Sequence, residues 1–145
     1  MKIIPFIQWH LTVIGSGRVV VGPELFSRMN LAVLSGPVVT VTTDDDIILA
    51  TVGCIFVTRG CVEVWAVVSP KAKEHAFALA KGVNWCFAES IRRYGIRRFQ
   101  AAIAEHDLEA RRWAESFHMK PEHGAMDDFG DYGEPFIRYV KRLRP

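Results

Sequence analysis

Between Val62 and Ala78 the chain changes its repeat. Val62-Glu63-Val64-Trp65-Ala66-Val67-Val68 is a short, largely β-branched strand, and Ser69-Pro70-Lys71-Ala72-Lys73-Glu74-His75-Ala76-Phe77-Ala78 opens a helix. A strand that enters a helix through a short polar turn leaves the first N–H groups of that helix unpaired. The positive end of the helix dipole lies at the same place, so such a turn suits an anion, phosphate above all.

The flanking segments extend this unit. Val and Thr dominate Pro37 to Thr43, which reads as a strand. Thr43-Asp44-Asp45-Asp46 is a turn into a longer strand, Ile47 to Thr58, and Arg59-Gly60 is a tight turn into Cys61 to Val68. Three strands joined by short turns predict an antiparallel meander. From Lys73 onward, Ala76, Ala80, Val83, Phe87, Ile91 and Tyr94 recur along one helical face, and Gly95 is suited to end that helix. Arg97 to Ala104 alternates as a fourth strand. Asp107 is a good N-cap for a helix from Leu108 to about Phe117. Lys120 to Gly133 is loop-rich and acidic, and Pro135 to Leu143 is a last strand. Before Pro37 we expect an apolar stretch from Ile3 to Ile14, a turn at Gly15-Ser16-Gly17 and helical composition from Pro23 to Leu34. The order predicts an α/β or α+β sandwich with helices packed on a central sheet.

Composition narrows the function classes. At 145 residues, half of them apolar and with a net charge of +2, the chain predicts one packed domain, 1–145, and gives no electrostatic case for nucleic acid. Basic residues gather at Arg92, Arg93, Arg97 and Arg98 and again at Arg138, Lys141, Arg142 and Arg144; they read as solvated ends or as an anionic partner surface. Cys54, Cys61 and Cys86 form no CxxC pair and read as thiols of a reducing compartment, with Cys54 and Cys61 at most an incidental cross-hairpin pair. Gln8, Trp9 and His10 interrupt any signal-peptide core, and Ile47 to Val57 is far short of the ~20 apolar residues that span a bilayer. A cytoplasmic protein with no membrane partner is the expectation. His118, His123, Asp127 and Asp128 follow no zinc spacing, so no metal is expected. No G-x-S-x-G elbow and no Walker loop occurs.

With the elements placed, the chain resembles the GNAT superfamily, the acyl-CoA-dependent N-acetyltransferases. That family's cofactor motif, V-x-P-x-x-R/Q-x-x-G-x-G/A, meets Val68, Pro70, Lys73, Ala76 and Ala78 here. Its second motif, N-x-x-A-x-x-x-Y-x-x-x-G-F, meets Asp107, Ala110, Ala114, His118 and Met119. Within that family, Trp65-Ala66-Val67-Val68-Ser69-Pro70 and Glu109-Ala110-Arg111-Arg112-Trp113 are also similar to small phage-encoded proteins, some of them internal virion proteins. The resemblance implies a mixed, mostly antiparallel sheet with helices on both faces, and acetyl-CoA as acyl donor to an amine. It also leaves open a catalytically degenerate phage protein in the host cytoplasm or virion, with a phage or host partner.

The resemblance further implies roles for particular residues. The family's fourth and fifth strands splay apart to admit the pantetheine arm, and a freed N–H there donates to the thioester carbonyl as charge develops. Val67, Val68 and Ser69 would supply that edge. Lys73, Glu74, His75, Ala76, Phe77 and Ala78 would form a phosphate nest, with Asp107 and Ala110 also beside the cofactor. Glu63 would take the amine proton, or else be an ordinary solvent-facing strand residue. His118 would replace the acid that protonates the thiolate, or else cap a helix end. Four departures from the family stand out, the last a pair of residues: Ala76 for glycine, Asp107 for asparagine, Ala114 for tyrosine and His118-Met119 for Gly-Phe.

Overall fold

A computed structural model of the chain describes residues 1–5, 14, 18–21 and 36–143. The strands are β1 (Lys2–Pro5), β2 (Arg18–Val21), β3 (Val38–Thr42), β4 (Ile48–Thr58), β5 (Cys61–Val68), β6 (Arg98–Ala104), β7 (Lys120–Pro121) and β8 (Phe136–Arg142). The helices are α1 (Ala76–Tyr94), entered through a 3₁₀ segment over Pro70–His75, and α2 (Leu108–Ser116). The sheet runs β1-β3-β4-β5-β6-β8-β7, with β2 also paired to β5.

The meander forms as its turns require. β3, β4 and β5 pair antiparallel, Val39 opposite Val52 and Cys54 opposite Val64. β6 then returns parallel to β5, which demands a crossover, and α1 supplies it. Alternation along the strands separates two faces. Ala50, Val52, Val64, Ala66, Ala101, Ile103 and Tyr139 pack with Leu79, Val83 and Phe87 of α1 and Ala110 and Ala114 of α2. On the other face Ile55, Trp65 and Val67 meet the helical residue Ile14. Trp65 is fully buried, and its indole lies where a Cβ on its cross-strand partner Gly53 would stand at 2.4 Å. Only glycine leaves room for that ring.

Arg111 ties α2 to the sheet. Its Nε–H donates to Tyr139 Oη at 3.1 Å, and that hydroxyl donates to Glu115 Oε1 at 3.2 Å. Asp107 caps the helix as its position predicts, accepting from the Ala110 N–H at 3.1 Å.

The N-terminal part departs from the sequence reading. β1 and β2 are four residues each, too short to show a repeat, and β1 contains a proline, tolerated at the edge it occupies. The expected turn at 15–17 and helical stretch at 23–34 lie outside the described residues. Cys54 and Cys61 do not face each other across the hairpin. Cys54 opposes Val64, Cys61 opposes Thr58, and all three thiols are free. Burial pushes the Cys54 and Cys86 thiols up to about 12. No helix among the described residues is long and apolar enough to cross a membrane.

α1 and α2 each end at a left-handed residue, one suited to it and one not. Gly95 ends α1 at φ 63°, donating its N–H to Ile91 O, and His118 follows α2 at φ 62°. An L side chain in that conformation costs about 1 kcal/mol. Gly95→Ala should therefore lower the melting temperature, and His118→Gly should raise it, each by roughly 3 °C. Calorimetry of the two variants checks this, and equal signs would contradict it.

Candidate active site

The parallel pairing of β5 with β6 stops almost as it starts. Cys61, Val62 and Glu63 pair with Arg98, Phe99 and Gln100, and from there the strands separate while β6 stays paired with β8. The sheet edge that β5 would otherwise expose is taken by β2. Arg18 pairs with Val68, Val19 with Val67 and Val21 with Ala66, across a register shift. The parting of the strands is real, and the chain's own segment lies in it.

On the helix face, beside this parting, is a cavity of about 780 Å³. One wall is the end of β5 and the start of α1, with Val68, Ser69, Lys73 and Ala76. The other is α2, with Glu109, Arg112, Trp113 and Ser116. Its lining is mainly apolar, with cationic groups at Lys73 and Arg112. Trp113 stands edge-on to Phe117, ring centroids 5.0 Å apart. Lys73 Nζ lies 3.3 Å from Glu109 Oε1, an exposed ion pair joining the two walls.

The turn between β5 and α1 folds differently from a glycine loop. The Ser69 N–H donates to Leu49 O at 2.8 Å, and Ser69 Oγ accepts from the Lys71 N–H at 3.2 Å. The Ala72 N–H donates to Ser69 O at 3.0 Å. These bonds wind the turn into a 3₁₀ helix, and no residue from Ser69 to Ala78 has positive φ. Ala76 is right-handed, φ −54° and ψ −37°, so its Cβ is no obstacle. No positive-φ nest forms over Lys73 to Ala78, and the N–H groups of Ser69, Lys71 and Ala72 are already paired.

The opposite face carries a buried polar row. Glu63 is 8% exposed, and Gln100 Nε2 donates to its Oε2 at 2.9 Å. Gln100 Oε1 in turn accepts from Arg98 Nε–H at 2.8 Å, which fixes the amide so that nitrogen faces Glu63. Arg98 holds Glu122 through both terminal nitrogens, at 3.0 and 2.6 Å, and Arg142 reaches the same carboxylate at 2.5 Å. Those two guanidinium groups hold the Glu122 carboxyl down at about 2. Burial pushes the Glu63 carboxyl above its ordinary value. The Gln100 hydrogen bond, the Arg138 charge, the Ala102 backbone N–H and the Arg98 charge oppose that rise.

Scanning the sequence against protein-family models and against curated proteins returns no match. Solved structures do match. A spermidine/spermine N-acetyltransferase SpeG from Vibrio cholerae superposes with a TM-score of 0.64 at 14% identity, over 82% of this chain and 71% of that one. Its F149A mutant gives 0.66 at 13%, over 82% and 72%. A ribosomal-protein-S5-alanine acetyltransferase from Vibrio fischeri gives 0.63 at 15%, over 82% and 66%. The chain has the N-acetyltransferase fold.

Within the acetyltransferase fold the residues nominated from sequence divide into groups. Val68, Ser69, Lys73 and Ala76 come together at the cavity. Val67 is buried on the opposite face, with only its backbone at the parting edge. Glu74 is exposed, His75 is the non-helical junction into α1, and Ala78 is half-buried; none of the three lines the cavity. Phe77 is 78% exposed, with Lys81 over its ring. Asp107 and Ala110 serve the α2 cap and the core. Glu63 lies at the base of the parting on the opposite face, and His118 is exposed at the end of α2, away from the cavity lining. Among the described residues no group of His, Cys, Asp or Glu is arranged to hold a metal ion. Sequence reasoning missed Gln100 and Glu122 and read Arg98 only as part of a basic cluster. The available signal was Gln100, an amide interrupting the apolar run of β6.

A buried carboxyl whose folded pKa is raised favours the protonated form. The resulting stability is complete below the ordinary value of 4.5 and is lost as pH rises through the folded value. Glu63→Gln should therefore be more stable than wild type at pH 7, and the gain should vanish near pH 4. Denaturant titrations at the two pH values test this; a variant destabilised at pH 7 would contradict it.

Proposed function

We propose that this protein is an acyl-CoA-dependent N-acyltransferase, with acetyl-CoA as donor and an amine as acceptor. One observation carries the reading: β5 and β6 part beside a large, mainly apolar cavity that also presents Lys73 and Arg112. The likeness in fold to enzymes named as N-acetyltransferases supports it.

In this reading the pantetheine arm enters from the helix face and the phosphates meet Lys73 and Arg112. The ion pair of Lys73 with Glu109 then opens, a small cost because both groups are exposed. Phosphate binding here depends on side chains more than on a backbone nest. The thioester carbonyl takes an N–H of the β5 edge near Val67, as β2 withdraws. The amine approaches from the Glu63 face and loses its proton to Glu63, directly or through water. Its nitrogen bonds the acyl carbon, the C–S bond breaks, and the thiolate leaves with a proton from water, since His118 does not line the cavity. Gln100, oriented by Arg98, holds the Glu63 carboxylate in place. Ala114 is buried where a tyrosine acid would stand, so the leaving group gains no help from that position.

A second reading rests on β2. If the strand stays on the β5 edge, the fold is a non-catalytic binding scaffold, and a phage virion or host partner would then be the destination of this surface. Fold alone does not choose between the two.

Hydrogen exchange with and without millimolar acetyl-CoA chooses. The acyltransferase reading predicts that amides of residues 18–21 exchange faster with ligand while Val68 and Ser69 stay protected. It also predicts stabilisation of about 2.7 kcal/mol at a hundredfold excess over Kd, and release of free thiol when an amine is added. Unchanged exchange at 18–21 and no stabilisation would support the scaffold instead.

A further inference from the structure

The polar row on the Glu63 face holds one guanidinium that its neighbours do not satisfy. Arg98 is bonded to Gln100 and Glu122, and Arg142 to Glu122. Arg138 has no hydrogen bond or ion pair to its side chain among the described residues, and its Nε is shielded from solvent without a partner. An unmet buried donor on a permanently charged group is costly, more so than a neutral one. Retaining it has a ready explanation when a ligand completes it.

Its position gives that ligand a place. Arg138 stands on β8 opposite Ala102 of β6, at the level where β5 has already left β6. Along β8 it alternates with Ile137 and Tyr139, which pack with the helices, so it belongs to the face of Glu63 and Gln100. Its charge acts on both Glu63 and the Cys61 thiol, yet it bonds neither. A group that completed Arg138 on this face would therefore also stand near the carboxyl at the parting.

We propose that Arg138 anchors an anionic group, a carboxylate or a phosphate, carried by the acceptor amine. This deepens the acyltransferase reading and rests on it. The guanidinium fork matches the paired oxygens of either anion, holding one end of the acceptor while its amine faces Glu63. A polyamine, the substrate named for the similar Vibrio cholerae enzymes, would bring a second cation towards Arg138 instead. The acceptor class is thus an amino acid or a phosphorylated amine, not a spermidine-like polycation.

Two measurements on the full chain test this. Acetyl transfer from acetyl-CoA is followed by thiol release with glycine against glycinamide, O-phosphoethanolamine against ethanolamine, and spermidine. We expect the anionic member of at least one pair to be favoured roughly tenfold or more in kcat/KM. Arg138→Gln should abolish that preference mainly through KM, and Arg138→Lys should restore part of it. The glycine and phosphoethanolamine arms separate carboxylate from phosphate. Preference for spermidine or the neutral partners, or a preference that survives in Arg138→Gln, overturns the proposal.

The second measurement needs no turnover. The Arg138 Nε–H signal, identified in the ¹H–¹⁵N spectrum by its loss in Arg138→Gln, should shift on titration with O-phosphoethanolamine or glycine and not with ethanolamine. No shift with either anion overturns the proposal even if acetyl-CoA binds. A shift without any acetyl-CoA binding keeps the anion site and removes the acyltransferase reading beneath it.

Discussion

Three rungs of parallel pairing, followed by a separation, set the terms for the rest of this molecule. Backbone N–H and C=O groups within a sheet must find partners, and unpaired ones are costly when buried. Once β5 leaves β6 after Glu63 and Gln100, each strand needs another solution. β6 and β8 remain paired to Ala104 and Phe136, which holds one side of the parting rigid. β5 keeps β4 on one edge and takes β2 on the other. Gln100 Nε2 donates to the Glu63 carboxylate, so two side chains bridge the last rung before the strands divide. The cavity, the buried acid and the inserted strand are all consequences of one broken ladder.

Much of this was legible in the residues. Val38–Thr42, Ile48–Thr58 and Cys61–Val68 are long enough for β-branched composition and turn residues to mark them, and Gly95 marks the end of α1 through its need for positive φ. The cavity edge at Val68, Ser69, Lys73 and Ala76 was also readable, because the strand-to-helix turn is local. β1, β2 and β7 were not, since two to four residues carry no period. Nor were the Gln100–Glu63 and Arg98–Glu122 pairs, because partners 37 and 24 residues apart meet only through the tertiary fold. The helix opening after Ser69 was legible, but the 3₁₀ form of its first turn was not, for a local reason. Ser69 caps the segment and draws it into a 3₁₀ helix where glycines would have left it open.

The positions that depart from the acetyltransferase motifs each have a local account. Ala76 sits in a right-handed backbone that needs no glycine. Asp107 performs the cap that asparagine would perform. Ala114 is packed in the core, and Met119 is buried where the motif has phenylalanine. His118 alone carries a conformational penalty, at φ 62°. The fold therefore tolerates every substitution; in the proposed acyltransferase reading the functional consequence would fall on the turn after Pro70, where side chains would hold phosphate, and on Ala114, where no tyrosine acid stands.

The central claim is that the parted edge of β5 and the cavity beside it form one continuous acyl-CoA site. Backbone and indole chemical shifts on titration with acetyl-CoA test it most directly. The account predicts that the amides of Val67, Val68 and Ser69 and the Trp113 indole N–H move together along one saturating curve. Resonances at these four positions that stay fixed at millimolar acetyl-CoA would contradict it.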